Sequence, residues 1–262
     1  MAIDCGYKKC GLSQMLDYSV YYRNFHDGSK AHFDSMAGFY SGLLRPTLGH
    51  VPPTARILDI GCGQGLLVHA LNSFGFKNVQ GVDLSEQQVA VGQKYGLPCI
   101  AVDREYISDL ATTAPATFDL IFLMDVLEHM DKAEQLGILG AISKLLVPGG
   151  RLILSVPNAN ASFGLRWRYN DWTHEAAFTE HSLEFILLNS HFTDLKFLPY
   201  EFITRPRLFF IPRPSIMPWV LQKFFRLFRR LEAVGEMGVQ QGRNVPLSLN
   251  LLAQCVRADA KF

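Results

Sequence analysis

From residue 56 onward, short runs rich in Ile, Val, Leu and Phe recur along the chain, at 56–60, 79–82, 98–102, 118–123 and 151–156. Each run is continuously apolar rather than alternating, the pattern of a strand buried on both faces. The stretches between them are long enough for helices, so the pattern predicts βαβ units and a mostly parallel sheet. Two further strands are expected near 195–200 and 247–256. Before residue 54 there is no strand signal. Residues 29–48 instead carry apolar positions at helical spacing and end at Gly49 with prolines following, which predicts a helix. Ser85-Glu86 opens a helix with a capping hydroxyl and an acid in its first turn. Val147-Pro148-Gly149-Gly150 stops another, and Thr179 caps one over 180–190.

Length and composition fit this picture. A chain of 262 residues suits one α/β domain with additions: an N-terminal helical cap (1–53) and a main domain (54–262). Hydrophobic residues make up 48% and charged residues 19%, enough for a sizeable core and without a disorder signature. Cys5, Cys10, Cys62, Cys99 and Cys255 are odd in number and scattered, which argues against a disulfide framework and for a reducing compartment. There is no apolar run of signal-peptide or membrane-spanning length, so a cytoplasmic location is expected.

The densest chemical signal is Ile57-Leu58-Asp59-Ile60-Gly61-Cys62-Gly63-Gln64-Gly65. An apolar strand runs into a glycine-rich turn, and a helix begins near Leu66. Glycines there let the backbone bend tightly and approach a ligand closely. Asp83 follows 20 residues after Gly63, at the end of the next strand, where a carboxylate can accept hydrogen bonds from ribose hydroxyls. The spacing is G-x-G-x-G, not the dinucleotide G-x-G-x-x-G. Asp59 lies beside the turn, where a carboxylate repels a pyrophosphate but suits a ligand carrying an ammonium and a sulfonium. These residues favour S-adenosylmethionine over a nicotinamide dinucleotide.

ILDIGCGQG, GVDLS, FDLIFLMDVLEHM and LLVPGGRLILSVPN, in that order, closely resemble the motifs of class I S-adenosylmethionine-dependent methyltransferases. The resemblance covers roughly residues 30–200. It implies a Rossmann-like, doubly wound α/β fold with a mostly parallel seven-stranded sheet and an antiparallel last strand, placed at 249–256. It also implies positions for the cofactor: Gly61, Cys62, Gly63 and Gly65 against the methionine part, Asp83 at the ribose, Leu84 among the cofactor contacts, Asp103 at the adenine amino group, and Met124 and Asp125 at the floor.

Methyl transfer to a hydroxyl needs an aligned acceptor and a base for its proton. Histidine suits that role near neutral pH. His174 is the first candidate, His129 the second and His181 the third, with Asp171 as a partner. Asp125 and His129 are four apart and share a face if 126–130 begins a helix. The segment Asn170-Asp171-Trp172-Thr173-His174-Glu175, followed by Phe178-Thr179-Glu180-His181, resembles methyltransferases of quinone and surface-glycan biosynthesis. Asp125 and Asp171 could contribute to a divalent metal site, but the sequence shows no set of three ligands, and no metal is expected. The acceptor expected is a hydroxyl of a small or lipid-linked molecule, a glycan or quinone precursor. The alternatives are N- or C-methylation of a small metabolite and a non-catalytic, membrane-associated adaptor that only binds the cofactor.

One segment breaks the charge balance. Between Arg205 and Arg230 stand seven basic residues and no Asp or Glu, together with six Phe and Trp side chains. The other 18 bases face 24 acids, a mismatch hidden in the net charge of +1. This lies within an insert at 201–248 between the sixth and seventh strands, expected over the active site as a lid. A helix over 217–231 puts Gln222, Lys223, Arg226, Arg229 and Arg230 on one arc and Val220, Leu221, Phe224, Phe225, Phe228 and Leu231 on the other. The simpler expectation packs the apolar arc on the domain with the arginines in water. The alternative lays 205–230 in a membrane interface at the inner face. The patch is too compact for a nucleic-acid stripe.

Overall fold

A computed structural model describes residues 27–201 and 216–258. In chain order the elements are α1 (Lys30–Leu48), β1 (Arg56–Ile60), α2 (Leu66–Ser73), β2 (Asn78–Asp83), α3 (Glu86–Lys94), β3 (Cys99–Ala101), α4 (Tyr106–Thr113) and β4 (Phe118–Met124). After a 3-10 turn (Leu127–His129) come α5 (Lys132–Leu145), β5 (Leu146–Pro157), α6 (Gly164–Asn170), α7 (Glu180–Asn189), β6 (Phe192–Leu198), α8 (Ile216–Gly242) and β7 (Asn250–Arg257). The seven strands form one sheet in the order β3-β2-β1-β4-β5-β7-β6. β1 to β5 pair in parallel, and β7 runs antiparallel between β5 and β6. This is the doubly wound sheet that the alternation of apolar runs predicts.

Helices cover both faces and divide the core in two. One half gathers Leu58, Ile121, Leu154 and Leu251 with the inner sides of α5 and α7. The other gathers Ile57, Phe122, Ile153 and Leu252 with α2 and α1. The central strands bury both faces because neighbouring residues point into opposite halves. α1 belongs to this core: Phe33, Leu43, Leu44 and Leu48 are buried, and Phe33 packs against His69 of α2 and Tyr95 just after α3. Ser29 caps α1 by accepting from the His32 N–H.

Several boundaries differ from the sequence expectation. The sixth strand begins at Phe192, not 195. Its register shifts between Thr193 and Lys196, where Asp194 takes a positive φ of 51°. A bulge of this kind breaks the apolar period that marks a strand. β5 starts at Leu146 rather than Arg151, because Leu146 already pairs with Phe118 across its own irregular register. Val126–Met130 does not begin an α-helix. It holds the single 3-10 turn, so Asp125 and His129 are not related by α-helical spacing. Arg205, Arg207, Arg213, Phe209 and Phe210, like Cys5 and Cys10, lie outside the described residues.

In the order β3-β2-β1-β4-β5 the chain winds outward in opposite directions from β1 and β4. The carboxyl ends of those two strands therefore diverge into a crevice. Asp59, Asp83, Asp103 and Asp125 all stand at or just past carboxyl ends of parallel strands, on this one edge.

Candidate active site

The glycine-rich turn leaves β1 on that edge. Gly61 and Cys62 both donate backbone hydrogen bonds to the Val82 carbonyl of β2, at 2.8 and 3.0 Å, which folds the turn over the neighbouring strand. Gly61 has φ of 74°, and a Cβ there would come within 2.3 Å of the Val126 side chain. Gly65 has φ of 81° and a Cβ there would meet the Cys99 sulfur at 2.7 Å. Both positions need glycine for conformation and for space. The turn opens onto a cleft of about 120 Å³ whose lining includes Tyr40 of α1, Asp59, Gly63, Gln64, Gln88 and Met124.

Asp83 is pinned at the rim of this cleft. Its Oδ2 accepts from the Gly63 N–H at 2.8 Å and its Oδ1 from the Ser85 N–H at 2.7 Å. Each carboxylate oxygen keeps a further lone pair for a ligand hydroxyl. Leu84, next in the chain, is exposed on the ledge beyond. Asp103 is also exposed and accepts from the Tyr106 N–H at 2.9 Å at the start of α4. Cys62 is buried, and its thiol donates to Cys99, which pushes the Cys62 pKa up and holds that of Cys99 down.

Asp59 is 2% exposed, and burial pushes its carboxyl well above the ordinary carboxylate range, reinforced by Cys99 and Asp83. Beside it the Gln64 side-chain oxygen is buried without a hydrogen-bond partner. An orphaned acceptor and a buried carboxyl on one cleft wall suit a ligand bringing a cation with N–H donors. The donor set therefore fits the amino-acid end of S-adenosylmethionine, and the pinned Asp83 fits its ribose.

On the far side of β4 lies a second polar cluster. Asp125 has φ of 55°, in the left-handed region that few non-glycine residues adopt. Its Oδ1 accepts from Ser155 Oγ at 2.9 Å and Asn250 Nδ2 at 2.6 Å, so β5 and β7 both hold it. Its carboxyl opens on the crevice but is ringed by protein. Desolvation raises its pKa, offset in part by the hydroxyl and amide donors. Glu128 is 1% exposed, with one carboxyl oxygen lacking a partner, and burial and Asp125 push its pKa well up.

The 171–176 loop is stitched onto this turn, since Glu175 and Ala176 both donate backbone bonds to the Glu128 carbonyl. The stitching brings His129 and His174 together, with ring centroids 4.5 Å apart and planes at 75°. His174 Nδ1 lies 2.9 Å from the Trp167 carbonyl. A carbonyl only accepts, so Nδ1 carries a proton, and in the neutral ring the lone pair falls on Nε2. Thr173 donates its hydroxyl to Asp171 at 2.7 Å, so it can only accept from His129 Nδ1, also 2.7 Å away. His129 is thus also a donor at Nδ1. Desolvation, then the neighbouring His174, lowers its pKa to about 4. His181, the third candidate, lies on the first turn of α7, exposed beside Glu180.

Glu128, His129 and His174 each offer a ligand atom, all within 4.8 Å of one another. This group shares no residue with Asp125 and Asp171, the carboxylates that the sequence offers as metal ligands. Glu128 and Thr173 sit inside motifs already singled out and were legible there. Tyr40, Ser155 and Asn250 were not, because each reaches the site from a distant element. Tyr40 ties the two halves together, since its buried phenol is pushed up by desolvation and by both Asp59 and Asp125.

Comparison with known proteins agrees with this geometry. The family model for a methyltransferase domain matches residues 34–196. A ubiquinone biosynthesis O-methyltransferase from Xanthomonas campestris pv. campestris is 39% identical over 117 residues, covering 43% of this chain and 48% of the relative. One from Idiomarina loihiensis is 32% identical over 144 residues, covering 52% and 53%. The chain thus spans about half the length of the curated relatives it matches. The crystal structure of a SAM-dependent methyltransferase from Archaeoglobus fulgidus superposes with a TM-score of 0.62 at 18% identity, covering 92% of this chain and 99% of that one. With the sheet order, the glycine turn and the match over most of the chain agreeing, the chain belongs to the methyltransferase domain family and has the fold of S-adenosylmethionine-dependent methyltransferases.

Proposed function

We propose that the protein transfers a methyl group from S-adenosylmethionine to a hydroxyl of a small or lipid-linked acceptor. The observation that carries this is the bond from His174 Nδ1 to the Trp167 carbonyl, which in the neutral ring leaves the lone pair on Nε2. Asp59 and Gln64 would hold the cofactor's ammonium, and Asp83 its ribose hydroxyls. Leu84 and Asp103 would flank its adenine, with Met124 and Asp125 as floor. When bound, the cofactor supplies a methyl group on a sulfonium, an electrophile that needs no covalent help from the chain.

The chain's own residues then orient the acceptor and take its proton. His174 Nε2 accepts the hydroxyl proton, and the Asp125 carboxyl, which interacts with His174, favours the imidazolium that results. His129 is the weaker base, because a pKa near 4 leaves it neutral and poorly driven to take a proton at neutral pH. Its place in the Asp171–Thr173–His129 chain fits a role in holding His174 edge-on. Exposed Trp172 stands on the same segment and offers a ring to an aromatic acceptor. The relatives' names, O-methyltransferases of ubiquinone biosynthesis, support a phenolic quinone precursor as that acceptor.

The test is His174→Gln. Turnover should fall about 10²- to 10⁴-fold, the usual contribution of a general base, while affinity for S-adenosylhomocysteine stays unchanged. The acceptor is sought by mass spectrometry for the gain of one methylene in polar and lipid extracts incubated with the protein. Undiminished turnover in the variant would remove His174 as the base.

A further inference from the structure

The orientation of α8 is the reverse of the simpler expectation. Its less exposed stripe is Trp219, Gln222, Arg226, Arg229 and Ala233, spaced three and four apart along one side of the helix. This polar side is fastened to the body. Arg226 and Lys223 both reach Glu201, at 2.8 and 3.2 Å. Arg229 donates to the Asn160 carbonyl at 3.3 Å, beside the loop after β5. Arg230 donates to the carbonyls of Gly242 and Val245, on the return of the chain past a break at Gly238. The opposite side is apolar and faces outward: Phe224 is 51% exposed, Phe225 60% and Phe228 54%, with Met217, Leu221 and Leu231 comparably open.

A helix normally turns its apolar arc to the core and its charges to water. Here the charges anchor the helix, and an aromatic stripe is left without cover among the described residues. Contiguous exposed apolar surface of this kind marks an interaction site. We propose that α8 lies flat in the surface of an anionic lipid bilayer, with Phe224, Phe225 and Phe228 at the acyl boundary. The inference concerns this helix alone and does not depend on which acceptor is methylated.

Charge selects that partner. The sequence from Arg205 to Arg230 carries seven bases and no acid, and of the four on α8 Lys223 and Arg229 keep 45% and 41% of their side chains exposed despite their ion pairs with Glu201 and Glu232. A second copy packing the same face against this one would bring two basic segments together and be repelled, whereas anionic headgroups are attracted to the exposed Lys223 and Arg229. Length agrees. The apolar stretch 217–231 spans about 22 Å, enough to lie along an interface. The bases that interrupt it prevent it from crossing, and among the described residues no helix is long and apolar enough to span a membrane.

The experiment is co-sedimentation of the full chain with vesicles of phosphatidylcholine alone and of phosphatidylcholine with phosphatidylglycerol. The protein should pellet with the anionic vesicles, weakly with the neutral ones, and less as salt is raised. Phe225→Asp/Phe228→Asp should lower the bound fraction by more than about tenfold while S-adenosylhomocysteine binding and Tm stay as in the parent. Phe224→Ser is the milder control should the double variant fold poorly, and it should show an intermediate loss. No pelleting with anionic vesicles overturns the proposal, as does equal pelleting of the variants. So does a parent dimer in size-exclusion chromatography that the double variant converts to monomer, which would put a second copy on this face.

Discussion

At the scale of single residues, the site is governed by carboxyls held in unequal surroundings. Asp83 is exposed enough to meet a ligand and pinned by two backbone amides, whereas Asp59 is buried and its carboxyl is pushed well above the ordinary carboxylate range by desolvation. That difference has a consequence for binding. A cationic ammonium is best received by the ionised form of Asp59, so taking up the cofactor should expel a proton there, and affinity should rise with pH until the raised carboxyl pKa is passed. Calorimetry in two buffers of different ionisation heat should show proton release on binding, and Asp59→Asn should remove it. Heats independent of the buffer would contradict the assignment of Asp59. The residues of this half were legible because they are local: one strand, one turn and the end of the next strand lie within about 27 residues of sequence. The other half was legible only in part. His129, Asp171 and His174 stand out by residue type, but their pairing depends on a loop stitched to the Glu128 carbonyl, and no local pattern announces that contact.

At the scale of elements, two helices are placed differently from what their sequence pattern suggests in isolation. The sequence places α1 in an N-terminal helical cap at 1–53; its buried Phe33, Leu43 and Leu44 complete one half of the core and its Tyr40 lines the cofactor cleft. Phe33→Ala should therefore cost the whole domain about 3–5 kcal/mol, the usual loss for a fully buried aromatic, in a single cooperative transition. Chemical denaturation followed by far-UV circular dichroism checks this. A variant as stable as the parent, or a separate early transition, would show that α1 is an independent attachment. α8 shows the other limit of pattern reading. Its two arcs were correctly drawn from the sequence, but periodicity does not say which arc meets the body. Hydrogen bonds to Glu201, Asn160, Gly242 and Val245 decide that, and they turn the basic arc inward. β6 was displaced for a third reason: its bulge at Asp194 interrupts the period by which a strand is found.

At the scale of the whole molecule, the sheet order explains why the two halves of the site are adjacent. β1 and β4 are neighbours in space though 57 residues lie between Ile60 and Phe118, with three helical crossovers on the way. The crevice at their diverging ends receives the glycine turn from one side and the Asp125–His129 turn from the other. This topology was readable because buried parallel strands have a distinctive, continuously apolar signature. The antiparallel β7 carries the same signature but delivers Asn250 to Asp125 across 125 positions, a contact that only the assembled sheet reveals. The assembled pocket should discriminate strongly between nucleoside ligands. The most direct test is isothermal titration of the purified chain with S-adenosylmethionine and, separately, with a nicotinamide dinucleotide. A clear heat with S-adenosylmethionine that Asp83→Ala abolishes, and none with the dinucleotide, is the predicted result; a clear heat with the dinucleotide and none with S-adenosylmethionine would contradict it.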